Sequence, residues 1–406
     1  MRFYIENFRW LSAGFLLTFT SCIGQTFFIS LFSPQIRAEF GLGHSEWGFL
    51  YAAGTLTSAV IMLWAGTLVD RFRVRTLGAG ILIALACSAL ILAGITEAWM
   101  VPIAIFLLRF TGQGMASHAA VVAMARWFVA ARGKALAFAS LGFSVGEALL
   151  PILVVAILVA VDWRALWTVA AVVAILGAII LWISLTKERS PQSQAQENQS
   201  LGLDNRHWTR LEVLRLPVFW AVALAVGGLS AFGTAFFFHH TVYAEAQGWS
   251  HARFVTLFPI YTLCAIGSML VTGVALDRFG TDRMMPFYLL LTALGFLVMS
   301  QAGAFGMAVV GMALLGAGQG ANSTLPNAFW AEFFGTQHIG GIKSIATSVM
   351  VLGSALGPWV SGYFLDIGVS LSTQFAWVSG YFVLVCLGIF ATIRPLAQRL
   401  PRSAQV

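Results

Sequence analysis

The sequence predicts an all-α membrane protein with twelve transmembrane helices arranged as two similar halves. Of the 406 residues, 59% are hydrophobic and only 10% are charged, whereas soluble domains carry roughly 25% charged residues. The apolar residues fall into twelve long stretches. Each is long enough to cross the bilayer core, which takes about 20 helical residues. A repeat between the two halves of the chain predicts that the helices form two similar halves.

The twelve stretches are predicted to be helices because lipid offers no partner for a free backbone amide or carbonyl. The alternative, a membrane barrel, has strands of about ten residues in which polar and apolar residues alternate. These stretches are longer and do not alternate. They cover residues 10–36, 46–69, 75–96, 98–127, 134–160, 164–185, 217–244, 253–276, 285–303, 306–333, 344–367 and 374–393.

The basic residues predict that the N-terminus is cytoplasmic. In that orientation 19 of the 23 Lys and Arg residues lie in cytoplasmic segments, as the positive-inside rule requires. An even number of spans then places both termini in the cytoplasm, and we expect a multi-pass protein of the cell inner membrane. The net charge of +7 follows from this topology and gives no indication of nucleic-acid binding.

The only extended polar segment divides the chain. Its composition of Pro, Gln and Ser cannot bury a core. We therefore expect an N-terminal six-helix half over 1–185, a cytoplasmic linker over 186–215 and a C-terminal six-helix half over 216–406.

The two halves repeat each other at an offset of 206 or 207 residues. Duplication of a six-helix unit is typical of secondary transporters, whose substrate site lies at mid-membrane between the repeats. The matched segments are Gly66–Arg71 with Gly273–Arg278, Gly112–Gly114 with Gly318–Gly320, and Gly146–Pro151 with Gly353–Pro358.

The first matched pair carries the pattern Gly-x-x-x-Asp-Arg twice, and through it the chain resembles the major facilitator superfamily over nearly its whole length. Residues 109–114 are similar to that family's fourth-helix motif. Residues 126–134 are similar to bacterial members near the oxalate/formate and monocarboxylate transporters. The resemblance implies a monomer without cofactor that moves a small solute by alternating access. It also implies a central cavity lined by spans one, four, seven and ten.

Two full charges, Arg109 and Glu147, lie in the middle of predicted spans. A charge at the bilayer centre costs at least ~3 kcal/mol, so such residues are functional by default. Their helical positions lie about 28 and 20 Å from the cytoplasmic face, which allows a direct or substrate-bridged pair. The alternative is a buried ion pair that only locks span four to span five.

These charges predict the substrate class. The Arg109 guanidinium favours an anionic substrate because its fork of donors matches a carboxylate. Glu147 is the only acid at mid-depth, so we assign it to proton coupling. The resulting hypothesis is organic-anion/proton symport. The alternatives are proton-driven efflux of amphipathic compounds and, in another class, a non-transporting receptor or assembly protein.

The other candidate substrate-binding residues are polar groups on single helical faces of the spans. For any one of them, an interhelical hydrogen bond worth about 0.6 kcal/mol is the competing explanation. They are Gln25, Gln113, Ser144, His239, His240, Tyr243, Gln319 and Asn322. We predict that His118, on the face of its span opposite Arg109, packs against a neighbouring helix. The sequence shows neither a metal-ligand cluster nor a nucleophile–base spacing, so we expect no enzyme, no cofactor and no metal site.

The inner ends of the spans carry a candidate cytoplasmic gate. In the family that the chain resembles, the loop after spans two and eight holds the outward-facing state closed through ion pairs. Simple positive-inside anchoring would explain the arginines but not the aspartates. The gate candidates are Asp70, Arg71, Arg126, Asp277, Arg278 and Glu332.

Overall fold

The computed structural model describes residues 2–66, 68–128, 132–186, 201–335 and 338–400. These residues form helices joined by turns, with no strand among them. The all-α prediction is confirmed, and each of the twelve predicted stretches coincides with helical structure.

Six helical elements precede the polar segment. The first, α1, is broken, and α4 contains a π-helical section. Their bounds are α1 (Phe8–Ser21, a 3-10 turn Cys22–Gly24, then Thr26–Phe40), α2 (His44–Ala65), α3 (Val74–Ala93), α4 (Val101–Leu108, the π-helix Arg109–Ala116, Ser117–Trp127), α5 (Arg132–Leu158) and α6 (Trp163–Ser184).

Six more follow the polar segment. They are α7 (Pro217–Ala246), α8 (Phe258–Phe279, preceded by His251–Val255), α9 (Leu290–Ser300), α10 (Phe305–Phe334), α11 (Ile339–Asp366) and α12 (Leu371–Ala397). Short helices lie between them and at the start of the chain, at Arg2–Glu6, Leu68–Arg71, Arg210–Val213 and Thr281–Met284.

The protein is a multi-pass membrane protein. Within the described residues eight helices are long and apolar enough to cross a bilayer, or nine if the two parts of α1, bent by 47°, form one span. The count of twelve spans stays a prediction. Among the remaining elements, α9 has only 11 residues, which is shorter than the membrane core requires.

The chain forms two compact units. The first comprises Met1–Glu197 together with Phe237–Thr241 of α7, and the second comprises Asn198–Phe236 and Val242–Val406. The predicted division at 1–185, 186–215 and 216–406 stays a prediction.

Equivalent glycines make equivalent helix contacts in the two units. A Cβ atom on Gly114 of α4 would lie 3.0 Å from the Met62 sulfur of α2, and one on Gly320 of α10 would lie 2.8 Å from the Met269 nitrogen of α8. Both residue pairs are related by the repeat offset. Small residues let helices approach closely in lipid, so the repeated glycines fix the same packing in each unit.

The polar residues before α7 are held by charge-assisted hydrogen bonds. Asp204 pairs with Arg399 beyond α12, and hydrogen bonds from this guanidinium lower the pKa of the Asp204 carboxyl. Glu212 caps Arg210–Val213 by accepting from the backbone amide and hydroxyl of Thr209. These bonds, with a further one from Arg206, lower the pKa of Glu212 to about 2.

Candidate functional site

The first unit contains a break in α1 at mid-helix. The helix tightens into a 3-10 turn over Cys22–Gly24, and Gln25 is extended, with φ −88° and ψ 153°. A helix interrupted within a membrane frees backbone carbonyls, which is tolerated where protein or a cavity surrounds them. Interrupted helices of this kind form the substrate and ion sites of many secondary transporters.

The neighbouring helix α4 is distorted at the same level. Residues Arg109–Ala116 form a π-helix, a rare conformation that is frequent at functional sites. A Cβ atom on Gly112 would lie 2.7 Å from the Gly24 Cα, and one on Gly24 would lie 2.8 Å from the Gly112 Cα. The two backbones therefore touch, and only glycine fits on either side.

Arg109 projects from this π-helix into the break and is only 2% exposed. Its Nη1 donates to the Gly24 carbonyl at 3.4 Å and to the Thr26 hydroxyl at 3.2 Å. The guanidinium lies 5.5 Å from the centre of the Tyr51 ring, and the Tyr51 and Thr26 hydroxyls share a hydrogen bond.

The charge of Arg109 has no counter-ion in the described part of the chain. None of the ion pairs formed by the described residues includes it, and its Nε has no hydrogen-bond partner there. A direct pair with Glu147, which the sequence had left open, is therefore not formed. Backbone and hydroxyl dipoles and an aromatic face compensate this buried charge.

Glu147 lies beside the same break, on the α5 side. It follows Gly146, where a Cβ atom would lie 3.2 Å from the Cys22 Cβ. The Cys22 thiol lies 3.7 Å from the Phe143 carbonyl of α5 and interacts electrostatically with Glu147. Residues 22–26 of α1 thus run between α4, which carries Arg109, and α5, which carries Glu147.

Three further sequence candidates lie on these elements. Gln25 is in the break, Gln113 is in the π-helix, and Ser144 is one turn before Glu147; all three are half-buried. The structure therefore brings most of the N-terminal candidates to one region. The sequence did not single out Thr26 and Tyr51 as candidates, although the polar run Gln25-Thr26 within an apolar span was a signal for the first of them.

The α7 candidates have two different surroundings. His239 is 2% exposed and its ring lies 6.1 Å from that of His44, both in the first unit. His240 is fully buried, with Nδ1 2.7 Å from the Phe237 carbonyl. Tyr243 is buried in the second unit and donates its hydroxyl to the Met299 carbonyl of α9 at 2.6 Å.

In the second unit, Gln319 and Asn322 are half-buried on α10. The Asn322 Oδ1 has no hydrogen-bond partner among the described residues. The adjacent Gly318 and Gly320 pack against α9 and α8, where Cβ atoms would contact Thr292 and Ala265.

The gate candidates are only partly described. The side chains of Asp70, Arg71, Arg126 and Asp277 lie outside the described residues. Arg278 lies over the Phe279 ring, with 5.5 Å to its centre, and Glu332 accepts a hydrogen bond from the Thr281 hydroxyl in the segment after α8.

His118 packs as predicted, because its Nε2 would lie 3.6 Å from a Cβ atom on Gly66 at the end of α2. Within the described residues, no group of three or more His, Cys, Asp or Glu side chains could hold a metal ion.

Comparisons with known proteins agree with this architecture. The sequence model described as Major Facilitator Superfamily matches residues 14–274 and 244–404. An uncharacterized 38 kDa protein in the 23S RNA operon of Thermoproteus tenax is 25% identical over 404 residues, covering 98% of each chain. A probable sulfoacetate transporter, SauU, of Cupriavidus necator is 28% identical over 200 residues, covering 47% of this chain and 45% of that protein.

Solved transporter structures share the fold. A bacterial homolog of the human lysosomal transporter Spinster superposes with a TM-score of 0.72 at 14% identity, covering 97% of this chain and 98% of the other. The nucleoside transporter NupG superposes with a TM-score of 0.72 at 13% identity, covering 94% and 99%. At these identities the likeness shows the fold alone.

Proposed function

Because the chain belongs to the major facilitator superfamily and is a transporter rather than an enzyme, we propose that it moves a small organic anion across the membrane, coupled to protons. Arg109 holds the anion and Glu147 carries the proton. The protein works as a monomer in the cell inner membrane with both termini in the cytoplasm. The solute crosses by alternating access.

One observation carries the proposal, namely that the buried Arg109 guanidinium has no counter-ion among the described residues and is held only by backbone and hydroxyl dipoles and an aromatic face. A charge in a low-dielectric site attracts an opposite charge strongly. The Nε of Arg109 has no hydrogen-bond partner among the described residues, and the two hydrogen bonds that Nη1 donates are long, at 3.2 and 3.4 Å. A carboxylate or sulfonate binds such a fork through two parallel hydrogen bonds. An incoming anion would therefore complete the site.

The similarity to a probable sulfoacetate transporter supports the same class of substrate. Sulfoacetate is a small anion whose oxygens only accept hydrogen bonds. The matching donors are the Arg109 guanidinium, the amides of Gln25 and Gln113 and one of the two hydroxyls of Thr26 and Tyr51, since the other donates to its neighbour.

The positions of the two charges on either side of residues 22–26 support proton coupling. In the proposed cycle, the substrate anion first neutralises the charge of Arg109. Glu147 then takes a proton from the outer side and releases it inside after the helices rearrange. Substrate and proton therefore move together in the direction of uptake.

Transport into proteoliposomes tests the proposal directly. We expect an inward proton gradient to drive uptake of small carboxylates or sulfonates by the wild type. Arg109→Gln should lower uptake at low substrate at least tenfold, because a hydrogen bond to a charged group contributes about 1.5–3 kcal/mol. Arg109→Lys keeps the positive charge but loses the forked pair of donors. Its uptake should therefore lie between that of the wild type and that of Arg109→Gln. Arg253→Gln is the control, because that guanidinium is exposed and lies over Phe305.

If the wild type moves none of these anions under any gradient, the anion assignment is wrong. Unchanged uptake by Arg109→Gln at low substrate would also contradict it, since the proposed contact would then contribute nothing.

A second candidate, proton-driven efflux of amphipathic compounds, is favoured by a cavity in the second unit. This cavity has a volume of about 530 Å³ and lies among α7, α11 and α12, with Phe232, Phe364, Trp377 and Tyr381 in its wall. Its size and apolar lining are usual for sites of drug-sized ligands. The same liposomes loaded with a fluorescent amphipathic dye separate the candidates, because efflux predicts proton-driven dye movement that Arg109→Gln leaves unchanged.

A further inference from the structure

The second unit has another cavity, of about 330 Å³, where the segment Thr281–Met284 meets the C-terminal end of α12. The segment follows the end of α8, and the lining residues of α12 lie in its last two turns. The cavity shares no lining residue with the large apolar cavity of the same unit.

Two guanidinium groups, of Arg283 and Arg394, line this cavity, and both residues are exposed. Neither forms an ion pair with a carboxylate among the described residues. Asp282 also lines the cavity and reduces its net charge to +1, and within the described part of the chain no ion pair joins it to either arginine. The two arginines therefore have donors available for an anion from outside the protein.

Two aromatic rings border the same cavity. Phe287 is 56% exposed and Phe390 is 40% exposed, and their ring centres lie 6.2 Å apart. The Arg394 guanidinium lies over the Phe390 ring, with 5.6 Å to its centre. Phe390 belongs to a helix that is long and apolar enough to span the membrane, and Phe287 lies beside it in the turn before α9.

We propose that this cavity binds an anionic phospholipid, with the headgroup phosphate on Arg283 and Arg394 and an acyl chain along Phe287 and Phe390. Basic pockets between helices at the membrane surface bind anionic headgroups, and guanidinium groups match phosphate oxygens with several donors. A free phosphate would use the two arginines but would leave the exposed rings in contact with bulk lipid. The combination of two guanidinium groups with two exposed aromatic rings therefore favours a phospholipid over free phosphate.

Native mass spectrometry of the purified full-length protein tests this proposal. The protein is titrated with phosphatidylglycerol and with phosphatidylcholine of the same acyl chains. We expect the wild type to bind phosphatidylglycerol more tightly. The double variant Arg283→Gln/Arg394→Gln should lose roughly 30-fold in affinity for that lipid, because each basic residue near an anionic surface contributes about fivefold. Its affinity for phosphatidylcholine should fall much less, because the choline cation of that lipid already offsets the charge of its phosphate.

The control is the double variant Arg210→Gln/Arg215→Gln, which removes the same charge from two exposed residues outside the cavity. It should bind phosphatidylglycerol as the wild type does. If both double variants lost affinity for phosphatidylglycerol equally, the effect would depend only on net charge. That result would overturn the proposed site. Equal wild-type affinity for the two lipids would overturn it as well.

Two further measurements distinguish a lipid site from a general anion site and from a folding defect. Inorganic phosphate at millimolar concentration should not displace the lipid; full displacement would mean a general anion site and overturn the lipid assignment. If the double variant does not fold, as judged by thermal unfolding, the single variant Arg394→Gln is measured instead, with an expected loss of about fivefold.

Discussion

At the residue scale, the Arg109 guanidinium is stabilised by several weak contacts that leave its Nε without a partner among the described residues. Placing a charge at the bilayer centre costs at least ~3 kcal/mol. A hydrogen bond to a charged group returns about 1.5–3 kcal/mol, and a desolvated cation–π contact returns about 2 kcal/mol. The contacts to Gly24, Thr26 and Tyr51 therefore roughly offset the cost without using Nε. The proposed substrate anion would therefore bind without first breaking an ion pair.

The role of Glu147 is tested by removing its charge and keeping its shape. We expect Glu147→Gln to exchange substrate between the two sides of a proteoliposome but to lose accumulation driven by a pH gradient, because an amide cannot carry the proton. The measurement compares counterflow with gradient-driven uptake. Glu245→Gln is the control, since that carboxyl is exposed near the end of α7. Accumulation by Glu147→Gln equal to that of the wild type would remove Glu147 from the coupling step.

The sequence identified the two mid-span charges but not their surroundings. Arg109 and Glu147 stand out because any charge inside an apolar stretch is costly. Tyr51 is an ordinary residue of an apolar helix in the sequence, and only the packing of α2 against α4 places its ring beside Arg109. The residues that compensate a buried charge depend on tertiary contacts, so a single helix pattern cannot reveal them.

At the element scale, the break in α1 and the π-helix in α4 form one feature. The π-helical residues 109–116 meet the 3-10 turn at Cys22–Gly24, and the contact is between Gly24 and Gly112. Hydropathy predicted both helices but neither distortion, since an apolar run has the same composition whether its backbone is α, 3-10 or π. The distortions follow from the fit between two helices.

This contact predicts a marked effect of a single methyl group. In Gly112→Ala the new Cβ would lie 2.7 Å from the Gly24 Cα, so a backbone must shift. Overpacking of this kind costs about 1–3 kcal/mol, and we expect a lower unfolding temperature together with weaker substrate affinity. Thermal unfolding in detergent and uptake in liposomes measure the two effects.

The matched control for this change is Gly80→Ala in α3, where a Cβ atom would meet no other atom within 4 Å. It should be neutral or slightly stabilising, because alanine is the better helix former. Equal behaviour of the two variants would show that the contact between α1 and α4 tolerates a methyl group and does not position Arg109.

At the scale of the whole molecule, the repeat seen in the sequence is also present in the packing of each unit. Gly114 with Met62 and Gly320 with Met269 make matching contacts in separate units, which is the pattern expected of a duplicated six-helix bundle. The functional groups do not repeat. Arg109 corresponds by the offset to Leu315, and Glu147 corresponds to Ser354. Duplication thus supplies two similar scaffolds, and the two charges predicted to lie at mid-membrane, Arg109 and Glu147, both belong to the first unit.

Alternating access requires two arrangements of the helices with nearly equal energy. We propose that the loops after α2 and α8 stabilise one of these arrangements. We expect Asp70→Asn to lower the rate of transport severalfold while leaving equilibrium binding of the transported anion unchanged, because the carboxylate acts at the gate and not at the substrate. Asp277→Asn, its equivalent in the repeat, should have a similar effect. Glu97→Gln, an exposed acid between α3 and α4, is the charge-matched control. Binding that falls together with transport in Asp70→Asn would place this residue at the substrate site and contradict the gate, whereas a loss confined to the rate would support it.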